Sequence, residues 1–320
     1  MLDEYEIIRL ITRRFGRLPR GYSQIGDDVA VIPPGRAGEG VVLKTDMLVG
    51  RTDVPPGMTW AMAARKAVGM CVSDFASKGV PPRAFMVSLG LPAGTSREKV
   101  EDLASGLAEA SKEWQVKLVG GDTGEADDLV IDCMMVGFAK KVVPRDGAGP
   151  GEAVVVSGNF GRTAAGLKML MEGAKADVGF RRSAVASVFR PEPRLALGLA
   201  LRGLLSSSID SSDGLAISLH AISEMSGVGI EVDEIPYPKG LEKFAAANGY
   251  QAEGLALYGG EEYEIVATVS RGKLREAMER AKAAGCELHE IGRTVGKTGV
   301  RMADGRKIRR DGWIHFRGKP

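Results

Sequence analysis

Histidine, cysteine and aromatic residues are all scarce in this 320-residue chain, and neither sign of charge dominates it. The three cysteines, Cys71, Cys133 and Cys286, are far apart, odd in number and without a CxxC partner. That excludes a disulfide framework and a cysteine-based zinc site. Each lies among apolar residues, so a buried free thiol is expected at each. The three histidines, His220, His289 and His315, accompany no serine or cysteine motif, and no GxSxG occurs. Hydrolase triads are thereby disfavoured, and structural or surface positions are expected for all three. A formal net charge of +2, with only short basic clusters at 13–14, 181–182 and 307–310, gives no reason to expect a nucleic-acid partner. No apolar run approaches the roughly 18 residues of a membrane span. The opening MLDEYEIIRLITRRF carries acids where a signal peptide needs basic residues, so a cytoplasmic location is expected.

Glycine, by contrast, is plentiful at 43 residues, which points to tight turns and close backbone approaches around an aliphatic core. The length suits two domains. Apolar residues at helical intervals predict helices over 3–15, 59–78, 96–114, 161–171, 194–205, 213–225 and 273–284. Strands are predicted over 29–32, 41–44, 85–91, 116–119, 129–139, 154–157, 208–210, 229–232, 264–269, 288–291 and 300–302. The stretch PRDGAGPGE concentrates Pro, Gly and charge, and divides the chain into 1–142 and 143–320. The pattern is that of an α/β or α+β protein with mixed sheets covered by helices.

The aspartates fall at the ends of these runs. Asp27 and Asp28 follow Gly26 and precede a strand, Thr45 and Asp46 end one, and Asp74 sits late on a helix. Asp122 follows VKLV within Gly120-Gly121-Asp122-Thr123, while Asp210, Ser212 and Asp213 lie between a strand and a helix. Turn or cap duty would account for any one of them, Asp27, Asp53 and Asp213 above all. Together, many carboxylates without matching His or Cys describe an oxygen ligand set suited to Mg²⁺ or Mn²⁺ and not to zinc or copper. Hard cations bridged by carboxylates and phosphates are what phosphoryl transfer requires. The flanking Gly26, Gly120, Gly121, Gly214, Gly259 and Gly260 could bring backbone N–H groups to a phosphate, although tight turns select glycine too.

Two near-motifs carry less. Gly292-Arg-Thr-Val-Gly296-Lys297-Thr298 has three residues between its glycines where a Walker A loop needs four, and no long helix follows, so a hairpin connection is expected. Gly158-Asn-Phe-Gly161 lacks the dinucleotide spacing, yet Gly161 opening a helix could meet an anion.

In this order, IGDDVAVI, KTDMLV, SDFASKGVPP, GGDT, IDSSDGL and YGGEEYEI resemble the thiamine-monophosphate kinase family. That family belongs to the superfamily of aminoimidazole ribonucleotide synthetase, selenophosphate synthetase and the hydrogenase-maturation dehydratase. The resemblance runs from about residue 3 to the last strands. It implies a two-domain PurM-like architecture. An N-terminal mixed-sheet domain, 1–142, would bind ATP and metal and dimerise through its sheet, and 143–320 would form a C-terminal α+β domain. It further implies a homodimer that uses ATP as co-substrate with several Mg²⁺ ions. Transfer to thiamine monophosphate would be direct and in-line, without a phosphoenzyme.

Residue by residue, Asp28, Thr45, Asp46, Asp74, Asp122, Asp210 and Asp213 match the family's magnesium positions. Gly121, Asp122, Arg145 and Ser212 match ATP-binding positions, a linker charge being the other reading of Arg145. Asp46 and Asp122 would act by electrostatics and positioning, with no protein nucleophile, because the acceptor phosphate is already anionic. Glu261 and Trp313 match positions near the thiamine moiety, where an aromatic could stack on a cationic ring; a C-terminal core position is the other reading of Trp313. Asp53, within GRTDVPP, stands where many relatives have a substrate-contacting His, and is taken as a substrate position. Aminoimidazole ribonucleotide synthetase activity and a non-catalytic nucleotide-binding dimer remain the alternatives. Selenophosphate synthetase expects an N-terminal reactive Cys and the hydrogenase-maturation protein a C-terminal Cys, and neither is found here.

Overall fold

The computed structural model describes residues 2–15, 18–19, 21–23, 25–34 and 38–316. The first half runs α1 (Glu4–Thr12), β1 (Ala30–Ile32), β2 (Gly40–Val49), α2 (Gly50–Asp53), α3 (Trp60–Ser77), β3 (Pro82–Leu91), α4 (Arg97–Glu113), β4 (Lys117–Glu125) and β5 (Val130–Ala139). Its strands form a sheet in the order β1-β2-β5-β3-β4, in which only β3 and β4 are parallel. Strand alternation sends Val42, Leu48, Ile131, Cys133 and Met135 into a core shared with Ala64, Val68, Cys71, Val72 and Phe75 of α3. The other face is open: Met47, Met86, Met134 and Phe138 are exposed, Val119 reaches 62% exposure, and β4 is exposed along its whole length. The expected helical cover is therefore present on one face only, because α3 and α4 both lie on the same side.

The second half runs β6 (Ala153–Val156), α5 (Arg162–Met171), α6 (Val178–Phe189), α7 (Leu195–Ala200), β7 (Leu205–Asp210), α8 (Leu215–Ser226), β8 (Gly229–Val232), α9 (Leu241–Asn248), α10 (Ala252–Tyr258), β9 (Ile265–Val269), α11 (Arg271–Ala283), β10 (His289–Val295) and β11 (Gly299–Met302). The sheet order is β11-β8-β10-β6-β9-β7. Both faces are buried. Val154 and Val156 meet Ile209, Leu215, Leu219 and Ile222 on one side, while Ala153 and Val155 meet Leu197, Leu201, Ala277 and Ala281 on the other.

Several expectations change. The helix expected over 194–205 stops at Ala200, and the chain turns through Gly203 at φ +80° into β7. The strand expected over 116–119 continues through Gly120 and Gly121 to Glu125, so Asp122 stands within a strand and not after one. Glycine is required at 121, because a Cβ there would lie 2.1 Å from the Val87 carbonyl oxygen on β3. The 292–298 segment is no hairpin. β10 and β11 pair with opposite edges of β8, antiparallel and parallel, so their connection crosses the end of that strand. Helices α2, α6, α9 and α10 are not legible from periodicity: α2 is a single four-residue turn with no buried residue, and the others are short or mixed in pattern and held by tertiary burial. Cys71 and Cys133 are buried as expected, but Cys286 is only half-buried. Among the described residues, no helix is long and apolar enough to cross a membrane.

Candidate active site

Helix α3 lies between the two halves, against the first sheet on one side and α7 and β7 on the other. It is apolar on nearly every side because it is enclosed, so the polar residues it buries need partners. Asp74 is one of them. Asp28, from the loop before β1, and Asp210, at the end of β7, meet it, with carboxylate oxygens from all three within 4.8 Å of one another and all three residues buried.

The surroundings hold this cluster in place. Ser73 Oγ donates to Asp210 Oδ2 at 2.9 Å, and Ser77 Oγ to Asp28 Oδ2 at 3.0 Å. Lys78, fully buried at the end of α3, puts Nζ 2.6 Å from Asp27 and 3.0 Å from Asp28, and donates to the Ser208 carbonyl. Arg145 pairs with Asp28 and donates to the Gly26 carbonyl at 2.6 Å, so it is no free linker charge. Lys44 on β2 bridges Asp46 at 3.2 Å and Asp74 at 3.0 Å.

The cluster is electrically lopsided. Burial alone would raise the Asp28 carboxyl, but Lys78, Arg145 and Lys44 outweigh it and hold it at about 2. Burial and the neighbouring Asp210, Asp46 and Asp28 push Asp74 well above the carboxylate range despite Lys44. Burial, with Asp28 beside it, takes Asp210 up to about 7, and burial takes Asp213 up to about 6. Lys78 and Arg145 thus serve the Asp28 side, whereas Asp74 has Lys44 alone, shared with Asp46, so the Asp74–Asp210 side is short of positive charge. Arg145 Nε and Ser211 Oγ are also buried here without a hydrogen-bond partner. An all-oxygen donor set with negative charge left over fits a hard divalent cation.

The other expected positions separate into groups. Thr45 follows Lys44 on β2 and so faces the opposite way, onto the open face, where its hydroxyl donates to Asp132 Oδ1 at 2.9 Å. Asp122 pairs with Ser88, which pairs in turn with Asp132, so Asp122 shares that face with Thr45. Within one chain, Thr45 and Asp122 are not brought to the buried cluster. Ser212, Asp213, Glu261 and Trp313 form a further group. The Glu261 N–H donates to the Ser212 carbonyl at 2.6 Å, and the Trp313 N–H to the Asp213 carbonyl at 3.0 Å. Trp313 is 51% exposed, which excludes a core role, and its ring stands edge-on to His315 at 5.8 Å. His315 comes to this rim beside Trp313, whereas His220 and His289 stay structural or peripheral. The Asp53 carboxylate is taken up by α2 itself, accepting from the Val49 N–H at 2.7 Å and the Thr52 hydroxyl at 3.0 Å. The anion at the start of α5 is the chain's own Glu262, which accepts from the Gly161 and Thr163 N–H groups at 2.8 and 3.0 Å.

Lys44, Lys66, Lys78, Ser73 and Ser77 escaped sequence reasoning. A usable signal existed for four of them. The 59–78 run is apolar round most of its helix, which implies burial, and Lys66, Ser73, Ser77 and Lys78 inside it then require partners.

Residues 26–139 match the AIR synthase related protein, N-terminal domain, and residues 149–305 match its C-terminal domain. The thiamine-monophosphate kinase of Nitrosopumilus maritimus is 36% identical over 319 residues, covering 99% of both chains. That of Pyrococcus abyssi is 35% identical, covering 99% of this chain and 97% of its own. The solved structure of AaThiL complexed with AMPPCP and TMP superposes with a TM-score of 0.87 at 28% identity, over 98% of this chain and 97% of that one. The HypE–HypF complex, at 23% identity and a TM-score of 0.76, shares the fold. With similarity of this strength running from end to end and through both sheets, the chain belongs to the thiamine-monophosphate kinase family.

Proposed function

We propose that this chain moves the γ-phosphoryl group of ATP onto the phosphate of thiamine monophosphate, giving thiamine diphosphate and ADP. The observation that carries the reading is the buried, charge-deficient carboxylate cluster where the two halves meet, in a chain of this family. An acceptor phosphate oxygen attacks the γ-phosphorus in line, and the β–γ bridging P–O bond breaks with its electrons leaving on ADP. The anionic acceptor needs no protein base, and the chain supplies no nucleophile.

We assign Asp28, Thr45, Asp46, Asp74, Asp122, Asp210 and Asp213 to holding Mg²⁺, which when bound screens the charge of two polyanions brought together. Gly121, Asp122, Arg145 and Ser212 orient the donor. Arg145 is anchored by Asp28, so its guanidinium is already oriented before a phosphate arrives. Glu261 and Trp313 line the acceptor end, and Asp53 shapes it from α2. In this reading 1–142 is the nucleotide, metal and dimerisation domain and 143–320 the C-terminal domain. A homodimer joined through the open face would cover Met47, Met86 and Met134 and bring Thr45 and Asp122 into the interface. The enzyme would work in the cytoplasm.

Purified protein with Mg²⁺, ATP and thiamine monophosphate should yield thiamine diphosphate and ADP in equal amounts by chromatography. ATP binding without any diphosphate formed would overturn the acceptor assignment.

A further inference from the structure

We infer that Lys66 is a positioning residue that sets the acceptor end of the site, an inference that rests on the function just proposed. Lys66 lies on α3 with 1% exposure, and its ammonium has one partner from each half of the chain. Nζ is 2.5 Å from Glu261 Oε1 and 3.0 Å from the Asp53 carbonyl oxygen. A buried lysine must be paired, and a sealed ion pair would meet that need without any functional role.

Two features of this pair go beyond that need. The Glu261 side chain keeps 23% exposure, so one side of its carboxylate stays open while the other is held by Lys66. The loop that carries Glu261 is also strained. Glu261 and Tyr263 sit at φ +63° and +53°, a region that side chains other than glycine occupy only when their surroundings demand it. Those surroundings are the backbone bonds to Ser212 and Ser211 and the docking of Glu262 at the start of α5. With Glu262 bound to α5, Glu261 is directed to Lys66. Lys66 and Asp74 also share one rigid helix, eight residues or about 12 Å apart along its axis. The acceptor end is thereby held at a fixed distance from the carboxylate cluster.

Lys66→Met, which keeps volume and removes the donor, should raise KM for thiamine monophosphate about tenfold or more while KM for ATP stays within about twofold. Lys66→Gln, which keeps a polar head, is the second variant should the methionine variant not fold, and should show the same split. Combined with Glu261→Gln, either change should add almost nothing to the loss in kcat/KM that Glu261→Gln causes alone. Calorimetric binding of thiamine monophosphate, in the presence of Mg²⁺ and a non-hydrolysable ATP analogue, should weaken in parallel. A lower thermal midpoint with both KM values unchanged would make Lys66 merely structural and overturn the inference, as would additive losses. Wild-type protein that neither binds nor phosphorylates thiamine monophosphate would instead overturn the proposed function, and this inference with it.

Discussion

Strands β6 and β9 of the second sheet are buried at every residue, whereas β4 of the first sheet is exposed at every one. The second sheet is clothed on both faces by the chain's own helices, and its stability is settled within one copy. The first sheet leaves methionines, Phe138 and Val119 in solvent on the face that also bears Thr45, Asp122 and Asp132. A face both apolar and chemically equipped is what a self-association surface near a site would look like.

The charges differ in the same way. Glu262, half-buried in the second half and without an ion pair among the described residues, is raised to about 7 by burial, although N–H groups at the start of α5 favour its ionised form. Asp28, more deeply buried, is held at about 2 because Lys78 and Arg145 reach it. Burial is common to both, and the partner decides the sign.

The largest expected effect tests whether the two faces of the first sheet serve one reaction. Asp46 lies on the core face and Asp122 on the open face, and Asp46→Asn and Asp122→Asn should each lower kcat by about 10²–10³ with the fold intact. Wild-type turnover in Asp122→Asn would leave the open face without a part in the chemistry. The contrast in burial should appear as a contrast in stability. Val155→Asp, in the doubly covered sheet, should cost more than ~4 kcal/mol in denaturant unfolding. With the proposed homodimer joined through the open face, Met134→Asp should leave the chain folded and yield a monomer in analytical ultracentrifugation where wild type gives a dimer; an unchanged dimer would move the interface elsewhere.

The smallest effect concerns Glu262. Its folded pKa of about 7 lies above the ordinary 4.5, so the folded state keeps a proton that the unfolded chain releases. That contribution is complete below about pH 4.5 and is lost as pH rises through 7, a fall of at most ~3 kcal/mol. Glu262→Gln carries no such proton, so its stability relative to wild type should improve between pH 5 and pH 8. Parallel curves would show that Glu262 is ionised throughout.

Much of the fold was legible where the pattern is local and long. The helix at 59–78 and the strand at 229–232 came out within a residue or so of α3 and β8, because amphipathic or apolar spacing is written in neighbouring residues. Asp28, Asp74 and Asp210 stood out at element ends and do converge. Thr45 and Asp46 read as one motif yet point to opposite faces, because a strand alternates. Asp53 and Trp313 turned on a cap and on exposure, which no spacing reveals.

By itself, then, the amino-acid order determined the kinds of element, the oxygen-rich ligand inventory and the glycines that let backbone come close. Tertiary structure alone decided that Ser73 would hold Asp210, 137 positions away, that Lys44, Lys66 and Lys78 would be drawn in as partners, and that one sheet face would stay open. The reason is physical: burial and Coulomb interactions depend on which groups meet across the folded chain, and local sequence encodes only the groups' readiness to meet.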